Sequence, residues 1–160
     1  MKSTKFMSAA EKEKTLKDWQ RFIETDFDKA RFTKQLYNHL IQHCSFIAHY
    51  NQQGFYGTYF EDPEDTMKFL RQFDKDHGCK SIEYGMNYWI NNEDYRDVNT
   101  AMVEAFEPYK AEIYPRLRQR ARDNKLAQIK TLMKEAEELD LLGYYNNLDD
   151  SNAAFINYIS

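Results

Sequence analysis

The stretch Ser8-Ala9-Ala10-Glu11-Lys12-Glu13-Lys14-Thr15-Leu16-Lys17-Asp18-Trp19-Gln20-Arg21-Phe22-Ile23-Glu24-Thr25 decides the fold class. Ser8 and Glu11 stand three apart, the spacing of a capping box, in which each side chain satisfies the other residue's orphan amide. Leu16, Trp19, Phe22 and Ile23 then recur at helical intervals, so the segment reads as an amphipathic helix to about Thr25.

The same logic extends downstream. Asp26 or Asp28 can cap a second helix whose apolar set is Phe32, Leu36, Leu40, Ile47 and Tyr50, closed by Asn51-Gln52-Gln53-Gly54. Asp62-Pro63-Glu64-Asp65 is a helix start: Asp62 caps, Pro63 suits the first helical position, and the acids suit the positive end of the dipole. Met67, Leu70 and Phe73 form its inner side, with Gly78 placed to stop it. Val98, Met102 and Phe106 line a helix from Glu93 to Phe106, which Asn92 can cap. A long helix is expected from about Pro115 to Leu141, ended by Gly143. Its apolar stripe changes direction: Ile113, Leu117 and Ala121 define one side, and Leu126, Ile129, Met133 and Ala136 another. Either the helix breaks near Asp123-Asn124 or its halves use different surfaces.

Residues 81–92 read two ways. Ile82, Tyr84, Met86, Tyr88 and Ile90 alternate around Gly85 as in a strand, and Ile82, Met86, Trp89 and Ile90 also fit a helical stripe. Gly78 and Gly85 tilt the reading to the strand, whose partner would be Phe55-Tyr56-Gly57-Thr58-Tyr59-Phe60, too aromatic for a linker. The expected architecture is mainly α, a compact single domain over residues 1–160 with five to seven helices. A minor two-stranded element at about 55–60 and 82–90 would lie against them.

Composition supports this class. Glycine and proline supply only eight of 160 residues, which argues against a turn-rich sandwich or a low-complexity linker. The chain is 42% hydrophobic and rich in Tyr and Phe, so it has the material for a core. No run approaches a membrane span, and residues 1–7 lack the apolar centre of a signal peptide; the expected setting is cytoplasmic, with no membrane partner. Cys44 and Cys79 are too few for a disulfide framework.

Charge is unevenly spread. The net charge is −4, yet residues 110–134 carry a surplus of six positive charges, leaving −10 elsewhere. Within them Arg116, Arg118, Arg120, Arg122 and Lys125 form a basic cluster. Guanidinium groups donate in a planar fork that matches phosphate and carboxylate. On a helical wheel Arg118, Arg122 and Lys125 share one side, with Arg116 and Arg120 opposite, so a broad basic surface is expected rather than a single stripe for one groove. Phe55, Tyr56 and Tyr59 are candidate stacking or anchoring groups beside two glycines, against the competing reading that such large rings pack in the core or between helices.

His39-Leu40-Ile41-Gln42-His43 places two imidazoles four residues apart, on one helix face, a pairing that suits zinc or iron. Leu40 occupies the position where a zinc protease carries its glutamate, and further ligands would have to come from His49, His77, Asp74 or Glu83. The competing reading is a pair of core histidines bonded to Tyr or carboxylates. No serine elbow and no phosphate-binding loop occurs.

The sequence therefore leads to a non-enzymatic binding or accessory protein that contacts nucleic acid or an acidic protein through its basic helix and aromatic segment, without a cofactor. A metal-dependent enzyme centred on His39 and His43 is one alternative. A structural subunit, self-associating or partnered through an apolar face of residues 126–139, is another.

Overall fold

The computed structural model describes residues 7–41, 51–77 and 93–140, with 93–95 described by backbone alone. Among these residues there are six α-helices and no strand, and the architecture is mainly α. The helices are α1 (Ala9–Glu24), α2 (Lys34–Leu40), α3 (Gln52–Tyr59), α4 (Pro63–Leu70), α5 (Glu93–Phe106) and α6 (Lys110–Glu138). The chain divides into two units, residues 1–118 and 119–160.

In the first unit α1 packs on both α2 and α5. Its capping box forms as read: the Glu11 amide donates to Ser8 Oγ at 3.2 Å, and the Ser8 amide to Glu11 Oε2 at 2.6 Å. Trp19, Phe22 and Ile23 are fully buried. The Trp19 indole N–H donates to the Met102 carbonyl at 3.0 Å, so the largest core side chain also satisfies its one polar atom and ties α1 to α5.

The chain leaves α1 through two residues of left-handed backbone, Asp26 (φ 56°) and Phe27 (φ 63°). For a bulky residue such as Phe27 this conformation is strained. Its surroundings hold it: the Phe27 amide donates to the Phe22 carbonyl at 2.8 Å, the Phe27 carbonyl accepts from the Tyr56 hydroxyl at 2.7 Å, and the ring is buried. This turn is why the second helix does not begin at Asp26 or Asp28. Asp28 caps only the single 3-10 turn Lys29–Arg31, and Thr33 caps α2, its Oγ1 accepting from the Leu36 amide at 3.1 Å. The same hydroxyl donates to Asp18 Oδ2 at 2.6 Å, locking α2 to α1.

Two further expectations are corrected. The Asn51-Gln52-Gln53-Gly54 stretch opens a helix: the Asn51 side chain accepts from the Gly54 amide and starts α3, while Ile47 and Tyr50 of the expected second helix lie outside the described residues. Consequently 55–59 is helix, not strand, and Phe60 is its C-cap. The expected second strand, 82–90, lies outside the described residues. Helix rather than strand brings Phe55, Tyr56 and Phe60 inward together, where they meet Phe22, Phe27, Phe32 and Phe69. Phe22 and Phe60 stand edge-to-face at 4.8 Å, and Phe32 stacks on Phe55 at 5.8 Å. Such pairs add to the burial of large apolar surfaces.

The α4 start matches its sequence signature, with Asp62 Oδ1 accepting from the Glu64 and Asp65 amides and Pro63 inside the first turn. The last helix begins earlier than expected, at Lys110, and Pro115 sits within it. A proline there deprives one carbonyl of its donor, yet the helix continues. It does not break at Asp123-Asn124 either, but runs to Glu138, after which Asp140 adopts φ 56°. In the first unit Ile113 and Leu117 of α6 are fully buried. In the second unit nearly every described α6 side chain is exposed, including Leu126, Leu132, Met133 and Leu139.

Candidate functional site

Helix α6 positions the basic cluster. In the first unit its turns are pinned by Ile113 and Leu117, so Arg116 and Arg118, which fall between and beyond them, face solvent. Arg116 approaches Asp26 Oδ1 at 3.9 Å, too long and too exposed to neutralise it firmly. Arg118 makes no ion pair with a described residue. In the second unit Arg120, Arg122 and Lys125 are also exposed, and neither Arg122 nor Lys125 pairs with a described carboxylate. The nearest acid in sequence, Asp123, accepts from Gln119 at 2.8 Å instead.

The aromatic half of the expected surface is not there. Phe55 is fully buried and Tyr56 nearly so, while Tyr59 is half-buried against Phe55 at 4.8 Å and Phe69 at 5.1 Å. Core packing takes these rings because helix α3 turns them toward Phe22 and Phe32. Only an edge of Tyr56 reaches a shallow groove of about 360 Å³, where Lys29 Nζ lies 5.7 Å from its ring.

His39 is a core histidine. Its side chain is buried, and Nε2 is 2.7 Å from Asn99 Oδ1 of α5. Burial pulls its pKa down to about 4, against the opposing effect of the Asn99 hydrogen bond, so the ring is neutral at physiological pH. A neutral ring with Nε2 this close to Asn99 Oδ1 donates Nε2–H to it. His43, its expected co-ligand, lies outside the described residues, as do His49 and Glu83. Among the described residues no three His, Cys, Asp or Glu side chains converge as a metal site.

Asp74 and His77, named above as possible further ligands, meet each other in a polar cluster of the first unit whose other members, Lys110 and Tyr114, the sequence did not single out. Asp74 is buried, and its carboxylate accepts from the Tyr114 hydroxyl at 2.7 Å, the Asp76 amide at 2.9 Å and Lys110 Nζ at 3.2 Å, with His77 Nδ1 at 3.0 Å. Burial alone would raise its pKa; these donors outweigh it and bring it to about 2. Lys110 is held protonated above its ordinary range, first by Asp76 at 2.6 Å and also by Glu107 and Asp74. The Tyr114 hydroxyl is pushed up by burial and by the Asp74 carboxylate.

The cluster borders an open cleft of about 340 Å³ that also takes in His77 and Arg118. An Asp–His pair can orient an imidazole for proton transfer, but among the described residues no serine, threonine or cysteine lines the cleft to receive such help. Lys110 is neutralised by three carboxylates, whereas Arg118 at the rim has no ion-pair partner among the described residues. The sequence signal for this cluster was slight, a run of alternating charge at Asp74-Lys75-Asp76-His77; its partners Lys110 and Tyr114 are more than thirty residues away.

Comparison with known proteins returns no match: no family model, curated protein or solved structure resembles the chain at a significant level. Among the described residues no helix is long and apolar enough to cross a membrane.

Proposed function

We propose that this chain is a non-enzymatic binding protein that docks an anionic partner on the basic stretch of α6. One observation carries the reading: Arg118, Arg122 and Lys125 stay exposed and without an ion-pair partner among the described residues, in a chain whose carboxylates outnumber its cations. Exposed, uncompensated guanidinium groups at one-turn spacing suit carboxylate or phosphate.

An acidic protein segment fits better than a nucleic acid. With Phe55 and Tyr56 withdrawn into the core, the 55–60 segment offers no stacking platform, and a nucleic-acid version rests on backbone phosphates alone. The acidic remainder of the chain would also repel an extended polyanion beyond the patch.

The test is a titration of the full chain with a polyglutamate peptide and, separately, with a DNA duplex. The peptide should bind at low ionic strength, weaken with salt, and lose affinity in the triple variant Arg118→Ala, Arg122→Ala, Lys125→Ala. If the duplex is the partner, three neutralised phosphates give a slope of about −2.7 in log K against log[salt]. Binding of neither probe, or equal binding by the triple variant, overturns the proposal.

A further inference from the structure

The cleft of the first unit has ends of opposite charge. At one end Lys110 Nζ faces three carboxylates, Asp74 at 3.2 Å, Asp76 at 2.6 Å and Glu107 at 3.0 Å, so negative charge is in excess there. Arg71 lies close enough to act on Tyr114 and offsets part of that excess, while Lys75 is engaged by Glu104 at 2.7 Å. At the other end Arg118 is exposed and has no ion-pair partner among the described residues. Lys110, Tyr114 and Arg118 follow one another at four-residue steps on α6, so they share the side that meets Asp74 and His77.

Two acceptors stand near the acidic end. Asp74 is 1% exposed and its carboxylate only accepts, so His77 Nδ1, 3.0 Å from Asp74 Oδ2, carries the proton between them. The neutral ring then keeps Nε2 as an acceptor, on a side chain that is 43% exposed and lines the cleft. Asp76 is more exposed still, and among the described residues only its Oδ2 is engaged, by Lys110. Lys110 and Tyr114 have no donor left for either, because theirs already serve carboxylates.

We infer that this cleft binds a small zwitterion, an aliphatic amino acid, with its ammonium on His77 Nε2 and Asp76 and its carboxylate on the Arg118 guanidinium. An ammonium donates three hydrogen bonds, enough for both acceptors, and the guanidinium fork matches a carboxylate. Arg118 stands about 12 Å along the helix from Lys110, and helical side chains lean back toward the N-terminus. The two ends are therefore several ångström apart, which suits charges separated by a short methylene chain laid over Ala111 and Pro115. An anion alone is drawn to Arg118 but repelled by the acidic end, and a cation alone meets the reverse. Four groups hold Asp74, so the His77 ring is oriented before the ligand arrives. The cleft is open, and the affinity is modest, on the order of 1 mM. The inference shares Arg118 with the anion-docking reading but uses neither Arg122 nor Lys125.

Titration of the full chain with γ-aminobutyrate at about pH 8, where an ordinary imidazole is neutral, tests it by nuclear magnetic resonance. Saturable shifts of the His77 ring and the Arg118 side chain are expected. Butyrate and butylammonium each keep one of the two charges and should bind about tenfold more weakly. Arg118→Gln should weaken γ-aminobutyrate binding by about tenfold and Asp76→Asn by about threefold, both with an unchanged circular dichroism spectrum. The double variant Arg122→Ala, Lys125→Ala should bind γ-aminobutyrate as the wild type does while losing affinity for polyglutamate, so the two readings fail separately. No saturable shift up to about 50 mM, butyrate binding as tightly as γ-aminobutyrate, or unchanged binding by Arg118→Gln overturns the inference.

Discussion

His39 makes the dependence of stability on pH calculable from one buried ring. It is 2% exposed, between α2 and α5, and its pKa falls from 6.5 in the unfolded chain to about 4 in the folded one. Between those values the unfolded chain binds a proton that the folded chain refuses. Because the folded pKa is depressed, the stabilisation is complete above pH 6.5 and is lost as pH falls toward 4. Each pKa unit corresponds to about 1.4 kcal/mol, so the interval corresponds to about 3 kcal/mol, a large part of a typical domain's stability.

The perturbation that isolates this contribution is His39→Gln. Its amide can still donate to Asn99 but does not titrate. Urea denaturation of wild type and variant at pH 7, 6, 5 and 4.5 yields the difference in unfolding free energy, in which all common titrations cancel. From about pH 6 downward the wild type should lose about 1.4 kcal/mol per pH unit relative to the variant. Parallel stability curves across this range would refute the argument, as would a proton titration of the His39 ring near 6.5.

Three other outcomes follow from the geometry. Asp74→Asn removes the charge that Lys110 and Tyr114 face and should cost about 2 kcal/mol at neutral pH; in the wild type the same contribution is lost as pH falls from 3.8 through 2, which acid denaturation of the two proteins will separate. Ser8→Ala breaks the capping box and should lower stability by about 1 kcal/mol, read as a reduced denaturation midpoint. Phe55→Ala should cost about 3–5 kcal/mol without altering affinity for an anionic peptide under folding conditions, since its ring lies in the core and not on a binding surface.

Much of the helical frame was legible because its signals are local. The Ser8–Glu11 box, the Asp62-Pro63 start and the Val98–Met102–Phe106 face each depend on residues within a turn or two, and each appears where the spacing puts it. The failures also have local causes. Asn51 can end one helix or cap the next, and side-chain type alone does not choose. The aromatic run 55–60 suits a strand by propensity, but a helix lets its rings enter one cluster with Phe22 and Phe32, and burial outweighs propensity. Pro115 looked like a boundary, yet Ile113 and Leu117 bury fully on either side of it and hold the helix through.

The candidate site divides in the same way. That Arg118, Arg122 and Lys125 share a side of one helix follows from 3.6-residue periodicity, and so was determined by the sequence alone. Whether those cations were free or tied to carboxylates depended on which acids the chain brings near them, and only the folded structure decides that. It places Asp74 with Lys110 and Tyr114, and His39 with Asn99, across separations of 36 to 60 residues. Pattern repeats along the chain because the helix is a one-dimensional lattice; partnership between distant polar groups is a property of three-dimensional burial, where each buried charge or ring nitrogen must find whatever donor or acceptor the packing delivers.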